Sequence, residues 1–294
     1  MNGEYGLLDP DEADAPGDEF EEIDVSDTEA DRIARERDRE FDQWRKRIKD
    51  SERFIVQDSA FDDATFAALY KLVQDGYVDA MGGPVSTGKE ANVYEALSGE
   101  RARKTLGEGA EQVAIKVYRT RATNFQDMRE YLVGDPRFEE LGDKKEIVLA
   151  WTRKELSNLE RARRAGVRVP NPVAAERNVL VMEFVATDGE RARRLDEVSI
   201  ENPETAYEVV REYVRRLYAA GLVHGDLSEY NVLFYEGQLV IIDVGQAVTI
   251  HHPNAEEFLE RDCENVASFF RRQGMDVEGA DLYEWVRENA EPDK

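Results

Sequence analysis

Apolar residues recur every third or fourth position in several stretches of the chain, which is the period of an amphipathic helix. Residues 61–75 predict one such helix. Another begins at Asn202-Pro203, because asparagine caps a helix well and proline fits its first turn. Two further helices are predicted over 255–272 and 279–289, so the C-terminal part of the chain is expected to be mainly helical.

Shorter apolar runs predict β-strands. Residues 113–118, VAIKVY, are expected to alternate in burial and to direct one lysine, Lys116, inward. A buried lysine costs free energy unless it has an anionic partner. On the next predicted helix, residues 151–161, Glu155 shares a face with apolar residues, so it is the expected partner of Lys116.

Two carboxylates and one amide have the spacing of a site for magnesium and phosphate. Asp226 and Asn231 lie five positions apart in the segment HGDLSEYN, and Asp243 follows twelve positions later at the end of a predicted strand, residues 239–244. Phosphoryl transfer needs a carboxylate that orients the attacking oxygen, and oxygen ligands that hold Mg²⁺ against the phosphates. The spacing predicts these roles for the three residues.

A turn with a single glycine precedes the lysine strand, in the segment STGKEANVY at residues 86–94. Its spacing matches neither a Walker loop nor the three-glycine loop of ordinary protein kinases. Small and hydroxyl-bearing residues can still bring backbone N–H groups close to a phosphate. Taken by itself, this turn is only a modest indication of nucleotide binding.

Together these segments resemble the RIO family of atypical serine/threonine protein kinases, most closely its first subfamily, in archaeal form. The resemblance runs from about residue 78 to about residue 270. It implies an α+β, bilobal protein-kinase-like fold with a small β-rich N-lobe and a reduced helical C-lobe. The matching strings are STGKEANVY (86–94), AIKVYRT (114–120), ATNFQDM (122–128), HGDLSEYN (224–231) and IIDVGQAV (241–248).

The resemblance also implies roles for single residues. Asp226 matches the catalytic proton acceptor, and Asn231 and Asp243 match the metal ligands. Asp243 also matches an aspartate that accepts the γ-phosphoryl group as an acyl-phosphate intermediate. The implied cofactors are ATP and Mg²⁺, with Mn²⁺ as an alternative ion. The implied nucleotide contacts are Ser86, Thr87, Gly88, Lys89, Glu90, Val93, Lys116, Glu155, Met182, Glu183 and Val185.

Three features differ from ordinary protein kinases. Ser228 stands where many of them carry a lysine beside the catalytic aspartate, and Asp243-Val244-Gly245 replaces Asp-Phe-Gly. No Ala-Pro-Glu motif occurs after Asp243, so the usual activation segment and peptide-docking subdomain are expected to be missing. This favours a kinase-fold ATPase, in which phosphoryl transfer switches the conformation of an assembly.

The expected function is ATP- and Mg²⁺-dependent serine/threonine phosphorylation together with ATP hydrolysis. The resemblance implies a role in small ribosomal subunit maturation, with pre-subunit proteins or rRNA as partners. Two alternatives stay open: a small-molecule phosphotransferase of the aminoglycoside or choline kinase type, and a nucleotide-binding assembly scaffold. The arginine clusters within residues 161–168 and 191–194 are most simply solvated faces of this acidic chain, and a contact with rRNA or a ribosomal protein is the alternative.

Composition and pattern divide the chain into regions. Residues 1–27 hold eleven acidic and no basic residues, which predicts a disordered acidic tail. No apolar run could span a membrane, no secretory signal opens the chain, and Cys263 is a lone cysteine, so we expect a cytoplasmic protein. The remaining predicted regions are a helical extension (28–76), an N-lobe (77–185) with a polar hairpin loop (98–112) and a flexible insertion (119–147), and a C-lobe (186–294).

The chain is strongly acidic, with a formal net charge of −25, and 29 of its 39 basic residues are arginine. Acid excess with scarce lysine resembles proteins of salt-loving archaea. At molar salt the screening length falls to about 3 Å, which mutes repulsion among the acidic residues. We therefore predict that the melting temperature rises from low to molar KCl. A melting temperature that stays flat or falls over that range contradicts this prediction.

Overall fold

The computed structural model of the chain describes residues 61–120, 125–135, 137–138, 144–187 and 189–291. The predicted acidic tail and most of the predicted helical extension lie outside the described residues. The last part of that extension is helix α1 (Asp63–Gln74). Asp62 caps this helix by accepting a hydrogen bond from the Thr65 backbone N–H at 2.8 Å.

A five-stranded antiparallel sheet follows α1, in the order β1-β2-β3-β5-β4. Its central strand is the predicted lysine strand, and Lys116 pairs with Val93 on one side and Leu180 on the other. The strands are β1 (Val78–Thr87), β2 (Ala91–Ser98), β3 (Gln112–Tyr118), β4 (Pro172–Glu176) and β5 (Val179–Glu183).

Strand β3 is buried on both faces, so the prediction of alternating burial was wrong. Val113, Ile115 and Val117 pack on one face together with residues of α1. On the other face, Lys116 is only 7% exposed. The alternation along β3 is therefore between an apolar and a polar buried environment, which hydrophobicity alone does not separate.

A helix, α2 (Glu100–Leu106), connects β2 to β3 where a polar loop was predicted. Gly99 stands at its N-cap, Ala102 is buried, and Lys104 lies 2.6 Å from Glu100 one turn earlier. The sequence of this segment consists largely of good helix formers, so local propensity overrides its polar character.

The predicted flexible insertion is packed in its described part. It contains helix α3 (Phe125–Glu130), and helix α4 (Lys144–Arg164) begins inside the predicted insertion and before the predicted start at residue 151. Met128 and Leu132 are buried in one cluster with Trp151. The boundary was misplaced because a charged first turn is followed by a continuous buried apolar run, residues 147–151, which lacks the three-to-four-residue period of an amphipathic helix.

The C-terminal helices are those predicted: α5 (Pro203–Ala219), α6 (Ala255–Arg272) and α7 (Gly279–Asn289). They share one core with the central C-lobe strands, in which Cys263 is buried. No helix in the described ranges is long and apolar enough to cross a membrane. The short strands are β6 (Ala186–Thr187), β7 (Glu190–Arg191), β8 (Arg193–Arg194), β9 (Leu222–Val223), β10 (Val232–Tyr235), β11 (Gln238–Ile241) and β12 (Val248–Thr249).

Candidate active site

A cleft of about 550 Å³ opens beside the β1–β2 turn, β3, β5 and α4, and the segments around β10 and β11 complete it. Most of the predicted nucleotide and metal residues line it. Thr87 does not: it is exposed at the end of β1 and pairs with Asn92 across the hairpin, so the cleft geometry does not support its predicted contact. The predicted residues that line the cleft are Ser86, Gly88, Lys89, Glu90, Val93, Lys116, Glu155, Met182, Glu183, Val185, Asn231 and Asp243.

Lys116 bridges two carboxylates in this cleft. Its Nζ atom lies 2.7 Å from Glu155 Oε1 and 2.8 Å from Asp243 Oδ1. Burial opposes the charged amine, but the Asp243 and Glu155 carboxylates raise the pKa of Lys116, so it remains a cation. The ion pair predicted between Lys116 and Glu155 is present.

Glu155 and Asp243 differ in their surroundings. Glu155 is 1% exposed, and burial raises its pKa to about 7 even beside Lys116. The Tyr118 hydroxyl donates to its other oxygen, Oε2. In contrast, 52% of the Asp243 side chain is exposed, and the charge of Lys116 lowers its pKa. Of these two carboxylates, Asp243 is therefore the one that is open to the cleft and stays an anion.

The backbone turns sharply at Asp243, whose φ is 60°. A non-glycine residue in this left-handed region is uncommon and costs on the order of 1 kcal/mol or more. Gly245 follows in a tight space, since a Cβ atom there would lie 2.9 Å from Trp151 Nε1. The turn moves the chain from strand β11 into the loop at 244–247 and leaves the carboxylate at the cleft.

The catalytic-loop segment at 224–231 brings Asp226 and Asn231 together. Asn231 Nδ2 donates to the Asp226 carbonyl oxygen at 2.8 Å, which leaves Oδ1 as the amide atom suited to a metal ion. His224 is buried, which lowers its pKa to about 4, and its neutral ring contacts the Ile242 carbonyl oxygen at 3.1 Å. The predicted spacing therefore corresponds to one local site.

Asp262, on α6, is a functional residue that the sequence reasoning missed. It is 1% exposed and accepts the backbone N–H groups of Gly225 at 2.7 Å and Leu227 at 2.8 Å. Burial raises its pKa to about 7. It fixes the backbone on both sides of Asp226. An acidic residue in the apolar stripe of α6 was the signal that could have found it.

Arg261, the neighbour of Asp262, was also missed. Its guanidinium donates to the Gly225 carbonyl oxygen and lies 3.3 Å from the Tyr131 hydroxyl. Burial and the Asp243 charge raise the pKa of Asp226, and Arg261 opposes that rise. A positive charge therefore stands near Asp226, although Ser228 replaces the lysine that many kinases carry.

Glu183 ends strand β5 at the position predicted to contact the adenine ring. Its carboxylate is bound by neighbouring groups of the chain. Arg168 NH1 donates to its Oε2 at 2.8 Å, and the Asn171 backbone N–H donates to the same atom at 3.0 Å. The Glu183 backbone N–H donates to the Asn171 carbonyl oxygen at 2.8 Å, so its carbonyl oxygen is the backbone atom left for the predicted nucleotide contact. Apolar residues that complete the cleft and were not predicted are Val85, Ala114, Pro170, Leu233 and Ile242.

The residues present fit a magnesium ion carried by a nucleotide. No group of three or more histidine, cysteine or acidic side chains in the described part of the chain forms a metal cluster. Mg²⁺ bound to a nucleotide needs only one or two protein ligands, because phosphates and water supply the rest. Asn231 and Asp243 provide such ligands, and Lys116 provides a cation for the phosphates.

Comparison with known protein families identifies the family of this chain, because residues 92–282 match the RIO domain. The chain belongs to the RIO family. It is 65% identical over 287 residues to the RIO-type serine/threonine-protein kinase Rio1 of Haloferax volcanii, covering 97% of this chain and 96% of that protein. The Methanocaldococcus jannaschii Rio1 is 36% identical over 251 residues, covering 83% of each protein. The chain is therefore an enzyme of the RIO kinase class.

Solved structures confirm the predicted RIO kinase fold. The Rio2 kinase from Chaetomium thermophilum superposes with a TM-score of 0.56, covering 78% of this chain and 70% of that one. A Rio2 kinase-ADP/Mg²⁺-phosphoaspartate complex from the same organism gives a TM-score of 0.54. Both are 22% identical in sequence, so they establish the fold and not the chemistry of this chain.

Proposed function

We propose that this RIO protein is an ATP- and Mg²⁺-dependent serine/threonine protein kinase and ATPase. The observation that carries the proposal is the cation Lys116, held 2.8 Å from Asp243 in a cleft that Asn231 also lines. The Rio1 relatives are named serine/threonine-protein kinases, which supports the class of acceptor. Protein hydroxyl groups are therefore the proposed acceptors besides water.

Each side chain has a defined task in this proposal. The adenine ring lies along the backbone of Glu183 and Val185, and the turn at Ser86–Glu90 covers the phosphates. Lys116 binds phosphate oxygens and stays aligned by Glu155. Asn231 and Asp243 hold Mg²⁺, which neutralises charge on the phosphates. Asp226 orients the attacking hydroxyl group and accepts its proton.

We further propose that Asp243 itself accepts the γ-phosphoryl group during ATP hydrolysis. A carboxylate oxygen forms a bond to the γ-phosphorus while the bond from that phosphorus to the bridging oxygen breaks, and ADP leaves. Water then cleaves the acyl phosphate and regenerates the carboxylate. The exposed side chain and lowered pKa of Asp243 support this role, because both favour an accessible anion.

We propose small ribosomal subunit maturation in the cytoplasm as the cellular role, with pre-subunit proteins or rRNA as partners. Family membership supports this assignment. The arginine clusters give it little support. Arg168 pairs with Glu183, and Arg191 and Arg194 both pair with Glu197, so much of their charge is neutralised within the chain. Pre-subunit proteins are therefore favoured over rRNA as the direct contact.

One experiment separates these acceptors. The protein is incubated with γ-labelled ATP and Mg²⁺ in molar KCl, alone or with purified small-subunit precursors, with aminoglycosides, or with amino alcohols. We expect the precursors to raise phosphate release, or to become labelled, several-fold over the basal rate. The aminoglycosides and amino alcohols are expected to leave the rate of phosphate release unchanged. Stimulation only by aminoglycosides or amino alcohols would overturn the proposal in favour of a small-molecule phosphotransferase.

A further inference from the structure

The described part of the insertion ends in a buried polar cluster beside the loop that follows Asp243. Asp135 is 1% exposed and Arg137 is 3% exposed, and they lie beside Lys154 and Asn158 of α4, which are 0% exposed. Arg137 bonds to Asn158, and the charge of Asp135 acts on Lys154. Neither the proposed nucleotide contacts nor the proposed metal ligands include any of these four residues. Buried polar groups of this kind are retained only where each has a partner.

Two α4 side chains hold the backbone of the loop at 244–247. Asn158 Nδ2 donates to the carbonyl oxygens of Val244 at 2.8 Å and Ala247 at 2.9 Å. Lys154 Nζ donates to the Gly245 carbonyl oxygen at 2.9 Å. Three carbonyl groups of this short loop are therefore bound from one helix. The first of them belongs to the residue directly after Asp243.

Arg137 fixes the direction of the Asn158 amide. Its NH1 atom donates to Asn158 Oδ1 at 2.7 Å, so both N–H groups of that amide must point toward the loop. Asp135 holds the guanidinium in turn, with contacts of 3.0 Å to Nε and 2.7 Å to NH2. Two hydrogen bonds between one carboxylate and one guanidinium fix the orientation of the guanidinium as well as balancing its charge.

The segment that carries Asp135 is itself docked on the C-terminal lobe. A Cβ atom on Gly134 would lie 2.7 Å from Cδ of Pro253, so the proline ring packs directly against the Gly134 backbone. The ring of His252 contacts the Glu130 carbonyl oxygen at 3.1 Å. The chain around Asp135 is thus fixed to the residues before α6 on one side and to α4 on the other.

We propose that Asp135 and Arg137 are positioning residues of the metal site. Through Asn158, and together with Lys154, they hold the loop at 244–247 and so keep the Asp243 carboxylate in the orientation that Mg²⁺ and the phosphoryl group require. This inference rests on the proposed function and deepens it. The described part of the insertion then serves the active site through Asp135 and Arg137, which themselves do not line the cleft.

The test uses the full chain with both members of the ion pair replaced, Asp135→Leu with Arg137→Met. Replacing both leaves the net charge of the cluster unchanged, whereas replacing one alone would leave the other as an unpaired buried charge, which is strongly destabilising. We expect hydrogen exchange of the 244–248 amides without nucleotide to become at least about tenfold faster. We also expect the Mn²⁺ affinity of the ADP complex to fall about tenfold, while ADP affinity without metal stays within about twofold.

A matched control is the double change Lys71→Met with Glu176→Leu. This ion pair, at 2.6 Å, joins α1 to β4 and has no contact with the loop at 244–247. We expect it to leave Mn²⁺ affinity and exchange at 244–248 unchanged. A second variant, Asn158→Asp, keeps the oxygen that accepts from Arg137 but removes the N–H groups that bond to the loop. We expect it to show the same faster exchange and the same loss of Mn²⁺ affinity. It replaces the first variant as the test if that variant does not fold.

Unchanged exchange at 244–248 together with unchanged Mn²⁺ affinity, in either cluster variant, would overturn the positioning role. Failure of the proposed function is distinguishable from this result. It would show as a wild-type protein without Mg²⁺-dependent ATP turnover, whereas the exchange measurement needs neither turnover nor metal.

Discussion

Asp243→Ala is expected to abolish Mg²⁺-dependent ATP turnover, with a fall in kcat of at least about 10³-fold. Asp243 has two proposed tasks, as metal ligand and as phosphoryl acceptor, and no second carboxylate in the described part of the cleft is equally open. Glu155 is 1% exposed and remains bound to Lys116 at 2.7 Å, so it cannot take over either task. Steady-state phosphate release at saturating ATP and Mg²⁺ measures the loss.

The control for this prediction is a change of an acidic residue outside the cleft. Asp276 is exposed on the surface between α6 and α7, and Asp276→Ala is expected to keep wild-type turnover. The melting temperature of Asp243→Ala should stay close to the wild-type value, because Lys116 keeps its Glu155 partner. Turnover by Asp243→Ala within tenfold of the wild-type rate would refute the metal and acceptor assignments together.

Asp226→Ala is expected to lower kcat by about 10²- to 10⁴-fold, the range of a positioned general base. The KM for ATP should change by less than about threefold, because Asp226 does not line the nucleotide cleft. Phosphorylation of hydroxyl groups should lose more than ATP hydrolysis, because a hydroxyl group must give up its proton, whereas the proposed first acceptor in hydrolysis, the Asp243 carboxylate, is already an anion. Initial rates at varied ATP concentration separate kcat from KM.

The fold around Asp226 is expected to survive this change. Asn231 is held by the Asp226 backbone oxygen at 2.8 Å and not mainly by its carboxylate, and Asp262 anchors the loop through Gly225 and Leu227. Asp226→Asn, which keeps the size of the side chain, should show the same loss. Both variants turning over ATP and labelling protein at the wild-type rate would exclude Asp226 from the chemistry.

Elements with a clear helical period were predictable from the chain alone. Helices α6 and α7 have the predicted bounds, since an apolar stripe defines each of them. Helix α2 was missed because its short sequence is polar and buries only Ala102. The early start of α4 was missed because its first turn is charged and the apolar run that follows, residues 147–151, shows no helical period. Such features depend on local propensity and tertiary packing, to which an apolar pattern is blind.

The residues of the proposed chemistry were chosen from the sequence and lie together in the structure, whereas those that hold them in place could not be predicted. Lys116, Asp226 and Asn231 are recognised by residue type and spacing. Asn158 acts on Val244, which lies 86 positions away, and Asp262 acts on Gly225 from 37 positions away. Contacts over such separations arise from the packing of α4 and α6 on the catalytic segments. No spacing rule in the sequence encodes them.

The most direct test of the aspartyl-phosphate claim is one round of labelling. The protein is mixed with a substoichiometric amount of γ-³²P-ATP and Mg²⁺ in molar KCl, quenched, and treated with hydroxylamine, with Asp243→Asn alongside. Hydroxylamine cleaves acyl phosphates and spares phosphate esters of serine and threonine. We predict label on the wild-type protein that hydroxylamine removes and that Asp243→Asn does not acquire. Label that resists hydroxylamine and persists in Asp243→Asn would contradict the account.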